Sequence, residues 1–197
     1  MALKAELRKE YLAKRRSRTA QEVTQMSEQL ADLFFTEFPL QAGETVHVFL
    51  PIRQHNEIDT WPIIRCIWEK YPGVQVAVPV ANPADLSMTH YLLEANTQLV
   101  ESAWGIPEPV HALPLPESEI STVLVPLLAF DVHGHRVGYG KGFYDRFMTL
   151  LPQSSQKIGL SLEPPIELIS DVHPFDLRLN AVITPEKVWR FSDEPAA

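Results

Sequence analysis

The chain has 197 residues, 45% apolar and 21% charged, with a net charge of −8 and a single cysteine, Cys66. That length supports a full core without a disulfide or a structural metal, and one cysteine excludes an intrachain disulfide. The acidic balance argues against broad nucleic-acid affinity, which depends on neutralising phosphates. No stretch approaches the roughly 18 apolar residues of a membrane span, and the first 18 residues lack the apolar run of a signal peptide. The expectation is a cytoplasmic monomer with no nucleic-acid or membrane partner.

Residues 2–17 are predicted to be a helix. Lys4, Arg8, Lys9, Lys14, Arg15, Arg16 and Arg18 crowd this end of an otherwise acidic chain. At 100° per residue, Lys4, Arg8, Tyr11 and Arg15 fall within about 40° of one line along it. Lys4 lies in the first turn, where a cation opposes the helix dipole. An anionic ligand would relieve that conflict; a solvated basic face accounts for the same residues without a ligand. Thr19-Ala-Gln-Glu22 reads as a capping box, opening a second helix in which Val23, Met26, Leu30, Leu33 and Phe34 recur at helical spacing.

A strand is expected at 45–50, then a polar turn over 53–58. Asp59 or Thr60 caps the next helix, with Pro62 in its first turn. Cys66, in an apolar helical pattern, reads as buried filler. Further strands are expected at 74–80, 88–93, 122–128, 157–162 and 181–184, with the very apolar 122–128 at the centre. A turn at 131–134, a glycine loop at 136–142 and a helix at 143–151 follow that central strand. His90, His111, His133 and His135 show no metal-ligand spacing and read as surface or loop residues. Helical patterns alternating with short apolar strands indicate an α/β fold, three-layered, with a mostly parallel sheet and helices on both faces, in one domain over 1–197.

The densest chemistry lies in Arg136-Val-Gly-Tyr-Gly-Lys-Gly-Phe-Tyr-Asp145. Gly138, Gly140 and Gly142 alternate just before a helix. Glycine permits close backbone approach and positive φ, and the free N–H groups of a helix start can hold an anion. A phosphate cradle and a tight strand-to-helix connection both fit. The Walker A pattern fails because Gly142 follows Lys141, and the dinucleotide fingerprint fails at Phe143.

GYGKGFYDRF, with the preceding LLAFD and Arg136, resembles the signature of the 5-formyltetrahydrofolate cyclo-ligase family. The resemblance implies a fold like that of the NagB/RpiA/CoA-transferase group. It also implies ATP contacts from Arg136, Gly138, Tyr139, Gly140, Lys141, Gly142, Phe143 and Tyr144, and a Mg²⁺ ligand in Asp145. The opening Lys4 and Arg8 resemble the family's K-x-x-x-R, which grips ATP phosphates, and i, i+4 spacing puts both on one face. In FLPIRQHNEIDT, Glu57 matches a carboxylate that contacts the pterin, whose adjacent N–H donors suit it, and Ile52 matches an apolar substrate contact. Trp104-Gly-Ile-Pro-Glu-Pro109 resembles a substrate loop, although its aromatic ring could equally cover a sheet edge.

Near the end of the chain, Asp176 matches a second Mg²⁺ residue, whereas Asn180 stands where the family usually has Asp. Tyr144 is also a candidate to orient the formyl group or a phosphate. Arg53, Lys157 and Arg178 are candidates for the tail of a polyglutamylated folate.

The reaction so implied is ATP- and Mg²⁺-dependent cyclisation of 5-formyltetrahydrofolate to 5,10-methenyltetrahydrofolate, through a phosphorylated formyl group. Two rivals remain at this level: a non-catalytic folate- or nucleotide-binding relative, and a sugar-phosphate isomerase on a related sheet.

Overall fold

The computed structural model describes residues 2–191. The chain opens with helix α1 (Lys4–Ser17) and helix α2 (Ala20–Glu37). The junction holds the expected capping box: Thr19 accepts from the Glu22 amide, and the Glu22 carboxylate accepts from the Thr19 amide. Strand β1 (Thr45–His47), a 3₁₀ turn (Arg53–His55), helix α3 (Trp61–Lys70), and strands β2 (Gln75–Asn82) and β3 (Ser87–Leu92) follow. A small hairpin, β4 (Leu99–Glu101) with β5 (Pro107–Pro109), precedes β6 (Thr122–Pro126). A second hairpin pairs β7 (Ala129–Phe130) with β8 (Arg136–Val137) and leads into α4 (Phe143–Met148). Strands β9 (Gln156–Leu160), β10 (Ala181–Ile183) and β11 (Val188–Arg190) complete the main sheet.

That sheet runs β11-β10-β9-β6-β1-β2-β3, so β6 occupies the middle as its apolar sequence requires. The β1–β2, β1–β6, β6–β9 and β9–β10 pairs are parallel, and only the edge pairs β2–β3 and β10–β11 are antiparallel. Side-chain alternation sorts the core into two layers. Val46, Val48, Val76, Val78, Leu124, Ile158 and Leu160 face α2 and α3. Ala77, Val123, Val125 and Val182 face the opposite way, toward Phe130, Phe147 and Met148. Helices therefore cover both faces of a mostly parallel sheet. Separately, α1 lays Leu7 and Tyr11 on Leu128, Ala129, Val137 and Ile169, outside the β7–β8 hairpin.

Several elements differ from expectation. The first strand ends at His47, not at residue 50. Val48 still donates to the Ala77 carbonyl (2.8 Å), but Pro51 has no N–H, and the chain leaves the sheet. Thr60 is the N-cap of α3 by position, yet its hydroxyl donates to the Phe49 carbonyl; the Asp59 carboxylate accepts from the Trp61 amide instead. Helix α4 is only six residues long. Cys66 lies half-buried on the flank of α3, because Ile63, Ile64 and Ile67 take the inward positions. His90 is not a surface residue: it is buried on β3 with His47 of β1, their ring nitrogens 3.1 Å apart. Period-two alternation places both histidines on the α4 side, where their rings pack on Phe147.

Candidate functional site

A cleft of about 480 Å³ lies where the parallel strands end, the usual ligand position in open α/β sheets. Phe49 and Leu50 beyond β1, Pro79 and Ala81 late in β2, and Pro126 at the end of β6 form its floor. All fifteen residues singled out from the sequence line this one cleft: Lys4, Arg8, Ile52, Glu57, Trp104, Arg136, Gly138 through Asp145, and Asp176. They come from α1, from the loop after β1, from the tip of the β4–β5 hairpin, from β8 with its glycine loop and α4, and from the loop before β10.

One end of the cleft is built of paired charges. Asp131, fully buried, accepts from the amides of His133 and His135, and so fixes the turn that presents Arg136. Arg136 is buried, and its guanidinium donates to Asp145 Oδ1 (2.7 Å) and to the Leu177 carbonyl (2.7 Å). The Leu177 amide also approaches Asp145 Oδ1 (3.4 Å), which brings Asp145 beside the loop that carries Asp176. The Lys4 ammonium is hydrogen-bonded to Asp176 Oδ2, and the Lys4 amide donates to Asp171 (2.8 Å). A carboxylate thus caps the start of α1. Burial alone would raise Asp176, but the Lys4 ammonium and the His173 amide bonded to it hold it below the usual carboxylate range.

The glycine loop leans on α1. Arg8 Nε–H donates to the Gly138 carbonyl (3.0 Å). Gly140 has φ +88°, and a Cβ there would lie 3.1 Å from the Arg8 guanidinium carbon. Gly142 takes φ +72° as the left-handed residue before α4. Gly138 has open space around it.

The other end is mostly apolar, lined by Ile52, Ile106, Met88 and Phe49 together with two carboxylates, Glu57 and Glu108. Trp104 meets Phe143 edge-on with ring centroids 6.3 Å apart. Glu57 is buried; one oxygen accepts from the Ile52 amide (2.8 Å) and the other from the Tyr139 hydroxyl. Burial, then the Glu57 charge, drives the Tyr139 hydroxyl upward despite Arg15. The buried Tyr144 hydroxyl has no hydrogen-bond partner among the described residues, and burial pushes it well above the ordinary tyrosine value. Both tyrosines are therefore proton donors throughout the neutral range.

Sequence reasoning missed Arg15, although it shares the helical line of Lys4, Arg8 and Tyr11. It also left Met88 and His55 without a role. Asn180 lies outside the cleft lining: its carboxamide oxygen accepts from the Lys157 amide (2.8 Å), tying β9 to the approach of β10. Of the candidates for a glutamate tail, Arg178 donates to the His133 carbonyl (2.7 Å) and neither it nor Lys157 lines the cleft; the Arg53 side chain lies outside the described residues.

Fold and cleft together define an α/β protein with its ligand site at the carboxyl ends of a parallel sheet, cationic at one end and apolar at the other. The profile of the 5-formyltetrahydrofolate cyclo-ligase family matches residues 1–185, and the chain belongs to that family of enzymes. It is 32% identical over 182 residues to the 5-formyltetrahydrofolate cyclo-ligase of Escherichia coli K12, covering 90% of this chain and 98% of the relative. In fold it is similar to the Aquifex aeolicus 5,10-methenyltetrahydrofolate synthetase, with TM-score 0.76, 24% identity, and coverage of 100% of this chain and 96% of that one. The Mycoplasma pneumoniae 5,10-methenyltetrahydrofolate synthetase is similar at TM-score 0.69 and 20% identity, covering 91% and 97%.

Proposed function

We propose that this single domain closes 5-formyltetrahydrofolate to 5,10-methenyltetrahydrofolate, using ATP and Mg²⁺ and releasing ADP and phosphate. The observation that carries this reading is the joining, in one cleft, of a cationic end that includes two carboxylates and an apolar end that offers Glu57.

The formyl oxygen attacks the γ-phosphorus of ATP and ADP departs. The N10 nitrogen then attacks the activated formyl carbon, its proton is lost, and phosphate leaves with the former formyl oxygen. Phosphoryl transfer of this kind asks the protein for alignment and charge neutralisation more than for a nucleophile. Lys4, Arg8, Arg136 and Lys141 supply the positive charge, in a chain that is acidic overall. Glu57 accepts from the adjacent N–H donors of the pterin while Ile52 and Trp104 flank its ring. The Tyr144 hydroxyl, with its proton unused, donates to the formyl or phosphate oxygen. The second step depends on proximity, and the apolar end of the cleft keeps N10 near the activated carbon.

Among the described residues, no three metal-ligating side chains gather to form an all-protein metal cage. Two acidic side chains among cations instead fit Mg²⁺, which takes one or two carboxylates and completes its shell with phosphate oxygens and water. Asp145 and Asp176 are the residues that would hold it, and when bound it supplies neutralisation at the phosphate oxygens. Until then the two carboxylates are balanced by Arg136 and Lys4.

Stoichiometry tests the reading. One ADP should appear for each methenyltetrahydrofolate formed. ADP formed without the cyclic product, or cyclic product formed without ATP, would contradict it.

A further inference from the structure

Arg15 lies on the basic helix, yet it does not line the cleft. It is buried (7% exposed) at the end of α1 away from Lys4. Its Nη2 donates to the Leu127 carbonyl (2.6 Å), just beyond the central strand. Its Nη1 donates to the Tyr139 hydroxyl (2.9 Å) and lies 3.9 Å from Glu57 Oε1. The same stretch of α1 is joined to the loop after β1, since Asn56 Nδ2 donates to the carbonyls of Arg15 (3.3 Å) and Arg18 (3.0 Å).

We infer that Arg15 and Tyr139 are positioning residues for Glu57, and that they set the class of ring edge this carboxylate accepts. The argument follows from donor and acceptor inventory. Arg15 has only donors, so the Tyr139 oxygen accepts from it and the Tyr139 proton is directed to Glu57 Oε1. The Ile52 amide directs the other oxygen. Each Glu57 oxygen thus has one protein donor and acceptor capacity to spare, and the residue lines the cleft. A guanidinium lies 3.9 Å from Glu57 Oε1, and the Tyr139 hydroxyl and the Ile52 amide each use a Glu57 oxygen as an acceptor. A ligand edge with two adjacent N–H donors matches it; an edge with a carbonyl acceptor leaves buried oxygens opposed and is rejected.

Tyr139 therefore serves the folate end, although it sits in the glycine loop beside the residues that face phosphate. A consequence is that α1 carries both functions, with Lys4 and Arg8 toward the nucleotide and Arg15 toward the pterin. This inference rests on the proposed cyclo-ligase reading.

The test uses the full-length protein and two separate titrations by calorimetry: 5-formyltetrahydrofolate without nucleotide, and a non-hydrolysable ATP analogue with Mg²⁺. Tyr139→Phe removes one hydrogen bond to a charged group and should weaken folate binding about tenfold. The ATP analogue should bind within about twofold of wild type, since charge at the phosphate end is untouched. In turnover, the loss falls on KM for the folate more than on kcat. Arg15→Met should weaken the folate similarly, with Arg15→Lys intermediate because it keeps the charge and loses the fork. Tyr139 is 40% exposed, so its substitution tests the inference even if Arg15→Met fails to fold. Unchanged folate affinity in Tyr139→Phe, or a loss confined to the ATP analogue, overturns the inference alone. A wild-type protein that binds no 5-formyltetrahydrofolate overturns the function reading and the inference with it.

Discussion

Arg136 on β8 meets Asp145 on α4 at 2.7 Å, and the same guanidinium holds the Leu177 carbonyl next to Asp176. One side chain therefore fixes the spacing between the two carboxylates proposed for Mg²⁺. Arg136→Met strips the part-buried Leu177 carbonyl of its donor and leaves Asp145 without its cation. Stability should fall by about 2–3 kcal/mol, as read by urea denaturation. ATP-dependent turnover should fall further than stability accounts for, by about a hundredfold. Retained turnover in a folded Arg136→Met protein would contradict the role.

The alternate glycines are predicted to behave differently. Gly140→Ala puts a side chain at φ +88° and 3.1 Å from the Arg8 guanidinium, costing roughly 1–2 kcal/mol and displacing Arg8. At Gly138 the added methyl meets nothing within 4 Å. Gly138→Ala should therefore melt like the wild type while KM for ATP rises, because the methyl would enter the space proposed for the phosphates. Identical ATP kinetics in Gly138→Ala would place the phosphates elsewhere.

Beneath α4, burial depresses His47 well below the ordinary histidine value, with the neighbouring His90 adding to it, and brings His90 down to about 4. Glu117, 3.8 Å from His90 Nε2, opposes the shift and is outweighed. A depressed base binds its proton less readily when folded. The unfolded chain thus takes up protons first, and stability falls as pH drops from about 6.5 toward 4. The loss between pH 7 and 5 from His90 should be on the order of 2 kcal/mol. His90→Gln should flatten the profile of denaturation midpoint against pH; an unchanged slope would refute the assignment.

On the α4 side of the sheet, Gly159 is fixed by packing. A Cβ there would lie 2.7 Å from methyl carbons of Leu127 and Leu179 and 2.9 Å from one of Val182. Gly159→Ala should lower stability by about 1–3 kcal/mol through overpacking, visible as a lower melting temperature. A neutral substitution would show that these side chains can repack.

Much of this was legible in the residues themselves. The capping box at Thr19, the central place of the 122–126 strand and the fifteen cleft residues could be read because each depends on local spacing or on a long mixed motif. The β7–β8 hairpin could not: two residues per strand show no periodicity, and its register depends on the buried Asp131 holding the amides of His133 and His135. His90 was misread as exposed because its burial comes from pairing with β2 and from the ring of Phe147, partners far along the chain. Arg15 looked like one more solvated cation. Only the fold shows that its neighbours are the Leu127 carbonyl and the Tyr139 hydroxyl.

The central claim is that this cleft makes 5,10-methenyltetrahydrofolate from 5-formyltetrahydrofolate with ATP. The most direct test follows the absorbance of the methenyl product, with 5-formyltetrahydrofolate and Mg²⁺, with and without ATP, in wild type and Asp145→Asn. The account predicts an absorbance rise in wild type that requires ATP and falls at least about a hundredfold in Asp145→Asn, while that variant keeps its fold. A folded wild type that gives no rise, or a variant that turns over like the wild type, would contradict it.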